Sequence, residues 1–350
     1  MLRPSLVAAA EVGAMAAVVE VTIERQANRR DSVVILGKST KTNRALVSAF
    51  AGLGHSAWLA EPSTPPCLRS GDIAIARLDV LATLDGIEPG LWQLPRLARR
   101  GVQVMNGPLA LLAAHDKLST ALLLGRAGVP QPRTAHVRDV SRPPFAPPYV
   151  VKPRFGSWGR DVYLCRDDAE LSERLERLEH RRWFRRQGAL VQSLVEPTGR
   201  DLRVVVAGDR VVGAVERTAL PGEWRTNVAL GAVRHHVSAP PAACELALRA
   251  AAALGIDLAG VDIATDERGR GYVLEVNGAV DFNATYADDV FAAAAVALLE
   301  RAATRSNSRR AAVVRSRQNR PDLRQPERLG CGAGVPGQVD CRDRPGRARL

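Results

Sequence analysis

The stretch Gly260–Asn277, GVDIATDERGRGYVLEVN, reads as two strands joined by a tight turn. A turn centred near Arg268 and Gly269 places Asp262 opposite Glu275, where cross-strand side chains on one face lie about 5 Å apart. Asn277 points to the same face as Glu275, because strand side chains alternate. Two carboxylates and an amide oxygen therefore converge, a hard-oxygen donor set suited to magnesium and substrate phosphates. The flanking Val261, Ile263, Leu274 and Val276 bury the other side of the hairpin. Taken alone, the stretch is also compatible with a solvated polar face.

Outward from this hairpin the chain changes character twice. From Asp31 the pattern is strand, turn, helix: the apolar run Ser32–Leu36 precedes a helix through Leu53 that Asn43 can cap. Runs at Ile73–Ala76 and Val102–Met105 continue an α/β alternation over residues 31–112. A helix starts near Asp116 and stops at Gly128, before two prolines that forbid its continuation. Strand-like segments then appear at 149–152, 162–165, 189–195, 201–206, 210–216, 259–264 and 272–276. Helices are expected near 168–182, 242–254 and 288–303. This mixture predicts an α+β region over residues 113–303, with its first motif at Asp116.

Composition limits the alternatives. The chain has 350 residues, 46% of them hydrophobic, enough for real cores. The longest early apolar stretch, Leu6–Val19, is interrupted by Glu11 and falls short of the roughly 18 to 20 uncharged residues a spanning helix needs. Residues 1–30 read as a disordered extension, and a membrane protein is excluded. Of the net charge of +12, residues 301–350 supply +9, leaving a nearly neutral remainder. Past Ala303 hydrophobic periodicity gives way to Arg, Ser, Pro and Gly, so residues 304–350 read as a disordered basic tail. That tail has no aromatic residue to stack a base, which argues against a nucleic-acid-binding protein. Five scattered cysteines form no metal or disulfide pattern and fit a cytoplasmic setting. Only four of the 49 basic residues are lysines: Lys38, Lys41, Lys117 and Lys152.

Lys152 ends a strand before the glycine loop Gly156-Ser157-Trp158-Gly159-Arg160. Glycines let backbone N–H groups approach phosphate oxygens, and Lys adds a compact charge. The loop leads to a strand, so it is neither a Walker A nor a dinucleotide fingerprint, and an ordinary hairpin is the competing reading. The segment Leu190–Glu196 can offer backbone donors and acceptors to an adenine edge.

In order and spacing, Asp116-Lys117, Lys152 with its loop, Gln192–Glu196, Asp201-Leu-Arg203, Arg225-Thr-Asn227, Asp262 and Glu275-Val-Asn277 together resemble the ATP-grasp superfamily. More narrowly they resemble its RimK-like branch, which includes the ribosomal-protein glutamate ligase and the LysX-type ligases. The resemblance implies an ATP-grasp fold over 113–303 behind an N-terminal α/β domain. Lys117 and Lys152 would contact ATP phosphates, and Gly156, Ser157, Trp158 and Gly159 would close over them. Gln192, Ser193 and Leu194 would frame the adenine, and Asp201 would hold the ribose. Arg225 and Asn227 would face the phosphates, Arg203 would steer an acceptor carboxylate, and Asp262, Glu275 and Asn277 would bind magnesium, with manganese as the second choice. The implied reaction joins an amino acid such as glutamate to a carboxylate on a carrier, a ribosomal protein or a small molecule, through an acyl-phosphate. Homo-oligomerisation is compatible with it. A nucleotide-binding scaffold without catalysis is the alternative, disfavoured by the complete metal triad and both lysines. One departure stands out: the ribosomal-protein type follows Glu-x-Asn with Ser-Pro-Gly, whereas here Asn277 runs into Gly278-Ala-Val-Asp-Phe-Asn-Ala-Thr285. This points away from ribosomal-protein modification.

Overall fold

The structure, a computed structural model, describes residues 31–139 and 142–318, with side chains to residue 308. The expectations for residues 1–30 and 319–350 fall outside the described residues.

Strand β1 (Val33–Gly37), helix α1 (Lys41–Gly52), β2 (Ala57–Ala60), β3 (Ile73–Arg77), α2 (Gln93–Arg99) and β4 (Gln103–Met105) build a parallel sheet in the order β2-β1-β3-β4. Both β1 and β3 are buried throughout, as continuous apolar runs in parallel sheets are. Thr40, rather than Asn43, caps α1: its hydroxyl accepts from the Asn43 N–H at 3.1 Å. Asn43 is buried instead, and its Oδ1 accepts from Arg77 Nε at 2.7 Å.

Next come α3 (Pro108–His115), α4 (Lys117–Arg126), β5 (Thr134–Val137), β6 (Tyr149–Pro153), β7 (Tyr163–Cys165), α5 (Asp168–Leu178), α6 (Arg182–Gln187) and β8 (Ala189–Ser193). The four strands pair antiparallel as β5-β8-β6-β7. One helix was expected over 168–182. Continuing α5 would turn Arg182 onto the buried face after Leu171, Leu175 and Leu178. The break lets Trp183 and Phe184 join that cluster.

A third, antiparallel sheet contains β9 (Arg200–Ala207), β10 (Arg210–Thr218), β11 (Val233–His236), β12 (Leu258–Thr265) and β13 (Gly271–Asn277), ordered β11-β10-β9-β12-β13. Helix α7 (Pro241–Leu254) packs on β9, β12 and β13, burying Leu246, Ala247, Ala250 and Ala251.

The parallel sheet has no separate core on its inner side. Val33, Ile35 and Ile75 share one apolar cluster with Val205, Leu258, Val280 and Phe282. Polar contacts reinforce the junction: the Asn106 amide donates to Leu258 O at 2.9 Å, and Thr42 Oγ1 donates to Phe282 O at 3.0 Å. The expected boundary at 112/113 therefore marks a change of topology inside continuous packing.

The last helix, α8 (Val290–Gln318), corrects the expectation that order ends at Ala303. Ala and Arg are strong helix formers, so the helix continues without an apolar stripe. Arg305 Nη2 also anchors its flank, pairing at 2.6 Å with Asp257, which is buried. The compact unit holding all three sheets ends at Ser306, and residues from Asn307 form a separate unit. Among the described residues no helix is long and apolar enough to cross a membrane.

Candidate functional site

A cleft of about 970 Å³ opens between the β5-β8-β6-β7 sheet and the five-stranded sheet. It gathers Lys117, Lys152, Gly156, Ser157, Trp158, Gly159, Gln192, Ser193, Leu194, Asp201, Arg225, Asn227, Asp262 and Glu275 on its walls. Arg203 and Asn277, the other expected site residues, line an adjoining cleft of about 740 Å³, which shares Ser157, Trp158, Arg217, Asn227 and Glu275 with the first.

The two lysines reach the first cleft from different elements. Asp116 caps α4, accepting from the Leu118 N–H at 3.2 Å, and its carboxylate also receives Arg154 Nε at 2.9 Å. This contact pins the helix start to the strand end that carries Lys152. The pairing of Asp116 with Arg154 was not foreseen, although an Asp at a helix start is a visible capping signal. Lys117 Nζ donates to Gly156 O at 2.5 Å and to Glu275 Oε1 at 3.0 Å. The Lys152 ammonium is buried with only a 3.4 Å contact to Leu274 O. Burial, and then the Lys117 charge, lower its pKa to about 8. Nearby His115 is lowered to about 4, first by burial and then by Lys117, and so is neutral at pH 7.

The glycine loop lies at the junction of the clefts, where Ser157 and Trp158 line both. Trp158 sits in the left-handed region at φ 64° and is half exposed. A Cβ on Gly159 would lie 2.6 Å from Asn227 Oδ1, so only glycine permits this approach. Arg225 Nη1 donates to Gly159 O at 3.2 Å, and Glu223 clasps the same guanidinium at 2.8 Å. That pairing holds the Glu223 carboxyl down at about 2. Ser157 Oγ is buried and has no hydrogen-bond partner among the described residues.

On the opposite wall, β8 differs in detail from expectation. Leu194 N–H donates to Pro148 O at 3.0 Å and Ser193 N–H to Arg133 O at 2.9 Å, so neither is open to an adenine edge. Gln192 Nε2 donates to Thr134 Oγ1 at 2.8 Å. The next residue, Val195, lines the cleft, and its N–H has no backbone partner among the described residues.

Buried ion pairs occupy the floor. Asp262 and Glu275 are direct cross-strand partners, as the hairpin reading required. Asp262 also faces Arg203 across β9 and β12, and receives its Nε and Nη2 at 2.6 and 2.7 Å. Arg217 Nη2 adds a contact at 2.8 Å. Burial alone would raise the Asp262 pKa, but Arg203 and Arg217 hold it at about 2. Asp201 is likewise committed: it receives Arg217 Nε at 2.7 Å and Thr226 Oγ1 at 2.7 Å. Its carboxylate orients Arg217 and is not left free for a ribose. Arg217 itself was missed in the sequence, where one arginine among 45 carried no distinguishing signal.

The residues fit a polyphosphate. The buried Lys152 ammonium and the orphan Ser157 hydroxyl both lack the strong acceptor that a phosphate oxygen supplies. For a divalent cation the fit is narrower. Glu275 is the carboxylate of the triad outside the guanidinium network, and Asn277 Oδ1 accepts from the Ala279 N–H at 2.9 Å. Among the described residues no cluster of three His, Cys, Asp or Glu side chains is arranged as a metal site.

Residues 114–299 match the RimK-like ATP-grasp domain family. The tetrahydromethanopterin:alpha-L-glutamate ligase of Methanosarcina acetivorans is 30% identical over 263 residues, spanning 65% of this chain and 81% of that protein. A probable alpha-L-glutamate ligase 2 of Hahella chejuensis is 37% identical over 184 residues, or 51% of this chain and 59% of that protein. Among solved structures, the ATP-grasp ligase PsnB complexed with a minimal precursor, Mg and ADP superposes with a TM-score of 0.57 at 20% identity, covering 79% of this chain and 99% of that one. D-cycloserine synthetase DcsG gives 0.58 at 19% identity, covering 78% and 100%.

Proposed function

The chain belongs to the RimK-like ATP-grasp family of ligases, and on that premise we propose that it joins an amine to a carboxylate, using ATP and magnesium, through an acyl-phosphate. The observation that carries this reading is the buried pair Lys117 and Lys152 in the first cleft, together with the Ser157 hydroxyl that has no partner among the described residues. Two buried ammonium groups that feel each other's charge, with Glu275 paired to Lys117 at 3.0 Å, call for a polyanion.

In this reading the acceptor carboxylate attacks the terminal phosphorus of ATP and ADP departs. The amine nitrogen then displaces phosphate from the acyl carbon. Charge spreads over the phosphoryl oxygens in the transition state, so positioned cations do most of the work and no protein nucleophile is needed. Lys117, Lys152, Arg225 and Asn227 take the phosphates, with the Gly156–Gly159 loop as their cover. Val195 joins Gln192, Ser193 and Leu194 in framing the base. Asp201 acts through Arg217, and Arg203 steers the acceptor carboxylate. Magnesium, or manganese in its place, would neutralise phosphate charge. Glu275 and Asn277 would hold it, joined by Asp262 once a guanidinium yields one oxygen.

The amino acid is proposed to be glutamate, after the names of the relatives, and the acceptor a small-molecule or protein carboxylate. The free thiols Cys67, Cys165 and Cys244 fit a cytosolic setting. An amino-acid panel combined with candidate acceptors, scored for ADP release, tests the reading. Amino-acid-dependent ADP release is expected, and none across the panel would overturn it.

A further inference from the structure

Between β3 and α2 the chain leaves the parallel sheet as a hairpin whose tip ends in another lobe. Residues 79–88 pair through an antiparallel bridge between Val80 and Ile87, and the Leu81 N–H donates to Gly86 O at 2.9 Å. The root is buttressed: Glu88 Oε2 accepts from the Asp79 N–H at 3.0 Å, and the other Glu88 oxygen pairs with Lys38. Leu84, at the tip, is 5% exposed and shares one apolar cluster with Tyr149, Val151, Leu171 and Leu175, the core of the lobe built on the β5-β8-β6-β7 sheet. It does so at φ 59°, a left-handed conformation unfavourable for leucine, which the burial of its side chain offsets.

The next residue carries the polar half of the joint. The Asp85 side chain is 8% exposed and meets Arg186 Nη1 at 3.2 Å and Arg182 Nε at 3.6 Å, while Gln187 Nε2 donates to Asp85 O at 2.8 Å. All three partners lie on α6. The same helix also holds the end of the glycine loop. Asp161, which follows Arg160 at φ 52°, receives Trp183 Nε1 at 2.8 Å and, from Arg181 at the helix start, Nη2 at 3.0 Å. Arg160 Nη1 in turn reaches Ala82 O at 3.5 Å. Helix α6 is thus a bracket between the hairpin and the loop that covers the phosphates.

We infer that the 79–88 hairpin is a clasp that holds this lobe over the nucleotide, with Asp85 as a positioning residue acting on the Gly156–Arg160 loop through α6 and Asp161. The inference rests on the ligase reading for the identity of the nucleotide, and on geometry alone for the coupling. Reopening of a lobe closed over phosphates commonly sets how fast a nucleotide leaves. Here reopening requires a buried leucine and a carboxylate with two guanidinium partners to withdraw from the lobe together. Relief of the left-handed backbone at Leu84 lowers the cost of that step, so the clasp can release as well as hold.

Two readouts on the full chain test it. Release of N-methylanthraniloyl-ADP with magnesium, followed by stopped-flow fluorescence, should be at least about tenfold faster in Asp85→Ala, with association within about threefold of wild type. Hydrogen–deuterium exchange of peptides covering residues 155–163 in the ligand-free protein should speed up in the same variant. Should Asp85→Ala fold poorly, the double variant Arg182→Ala/Arg186→Ala, at two exposed positions, should reproduce both effects. Adding Asp85→Ala to that double variant should bring no further acceleration, and a further multiplication of the rate would overturn the inference. Arg185→Ala, exposed on the same helix and without an ion pair to Asp85 or Asp161 among the described residues, should release nucleotide at the wild-type rate. A hairpin that only packs would lower the melting temperature and the bound fraction while leaving release and loop exchange unchanged, and that result also overturns the inference. Failure of the ligase reading looks different: the wild type holds no adenine nucleotide, yet loop exchange still responds to Asp85→Ala.

Discussion

At the scale of single residues, the chain keeps a buried ammonium where an arginine-rich sequence had every opportunity to place a guanidinium. Lys152 has a folded pKa of about 8 against an ordinary value of 10.5. Between those values the unfolded chain binds more protons, so ligand-free stability should rise with pH through that window, and below pH 8 the full penalty applies. Its upper bound is about 3 kcal/mol. Lys152→Met should therefore raise the ligand-free melting temperature at pH 7 by a few degrees while lowering turnover at least about tenfold. Lys152→Arg should lose similar activity, because a planar fork replaces a point charge. Thermal scans paired with turnover check both parts, and a Lys152→Met protein that is active or less stable would refute them. Nucleotide binding near pH 8 should also take up protons, measurable as a buffer-dependent binding enthalpy. The rarity of lysine made Lys117 and Lys152 legible from the sequence. Arg217 was lost among the many arginines, since its meaning comes from the strands that oppose it.

At the scale of elements, the β12–β13 hairpin was read with Asp262 opposite Glu275 because alternation and a five-residue polar turn limit the freedom of pairing, although a bulge shifts the register after Asp262. Strands β2, β5 and β11 were missed: they are short and mostly half-exposed, so no periodicity marks them. Helix α3 was missed for the opposite reason, being apolar nearly all round with no stripe to detect. The register of β9, β12 and β13 separates two acids that look equivalent in sequence. Asp262 is locked to Arg203 and Arg217, while Glu275 stands at the junction of the clefts, about a quarter exposed. Asp262→Asn should cost about 3 to 5 kcal/mol in chemical denaturation, because it strands two buried guanidinium groups. The Asp262 contribution holds above its ordinary pKa of 3.8 and is lost as pH falls through about 2. Glu275→Gln should cost only about 1 kcal/mol yet lower ADP formation about 10²-fold or more. Equal destabilisation by the two variants would contradict this division of roles.

At the scale of the whole molecule, the loss of hydrophobic periodicity after Ala303 placed the end of order too early. Residues 304–318 are helical, and Arg305 reaches back to Asp257, whose Oδ2 also accepts from the Asn106 N–H at 2.9 Å. Truncation after Ala303 should therefore cost about 1 to 3 kcal/mol, and Arg305→Ala should reproduce most of that loss; an unchanged melting temperature for both would show the contact to be idle. Continuous packing between the parallel sheet and the five-stranded sheet also puts Asp79 on the wall of the second cleft. The central claim is that the acceptor carboxylate is phosphorylated before the amide forms. The most direct measurement follows an acceptor labelled with oxygen-18 in its carboxylate through one round of ATP-dependent ligation. The account predicts one labelled oxygen in inorganic phosphate for each amide and each ADP; label appearing in AMP, or phosphate free of label, would contradict it.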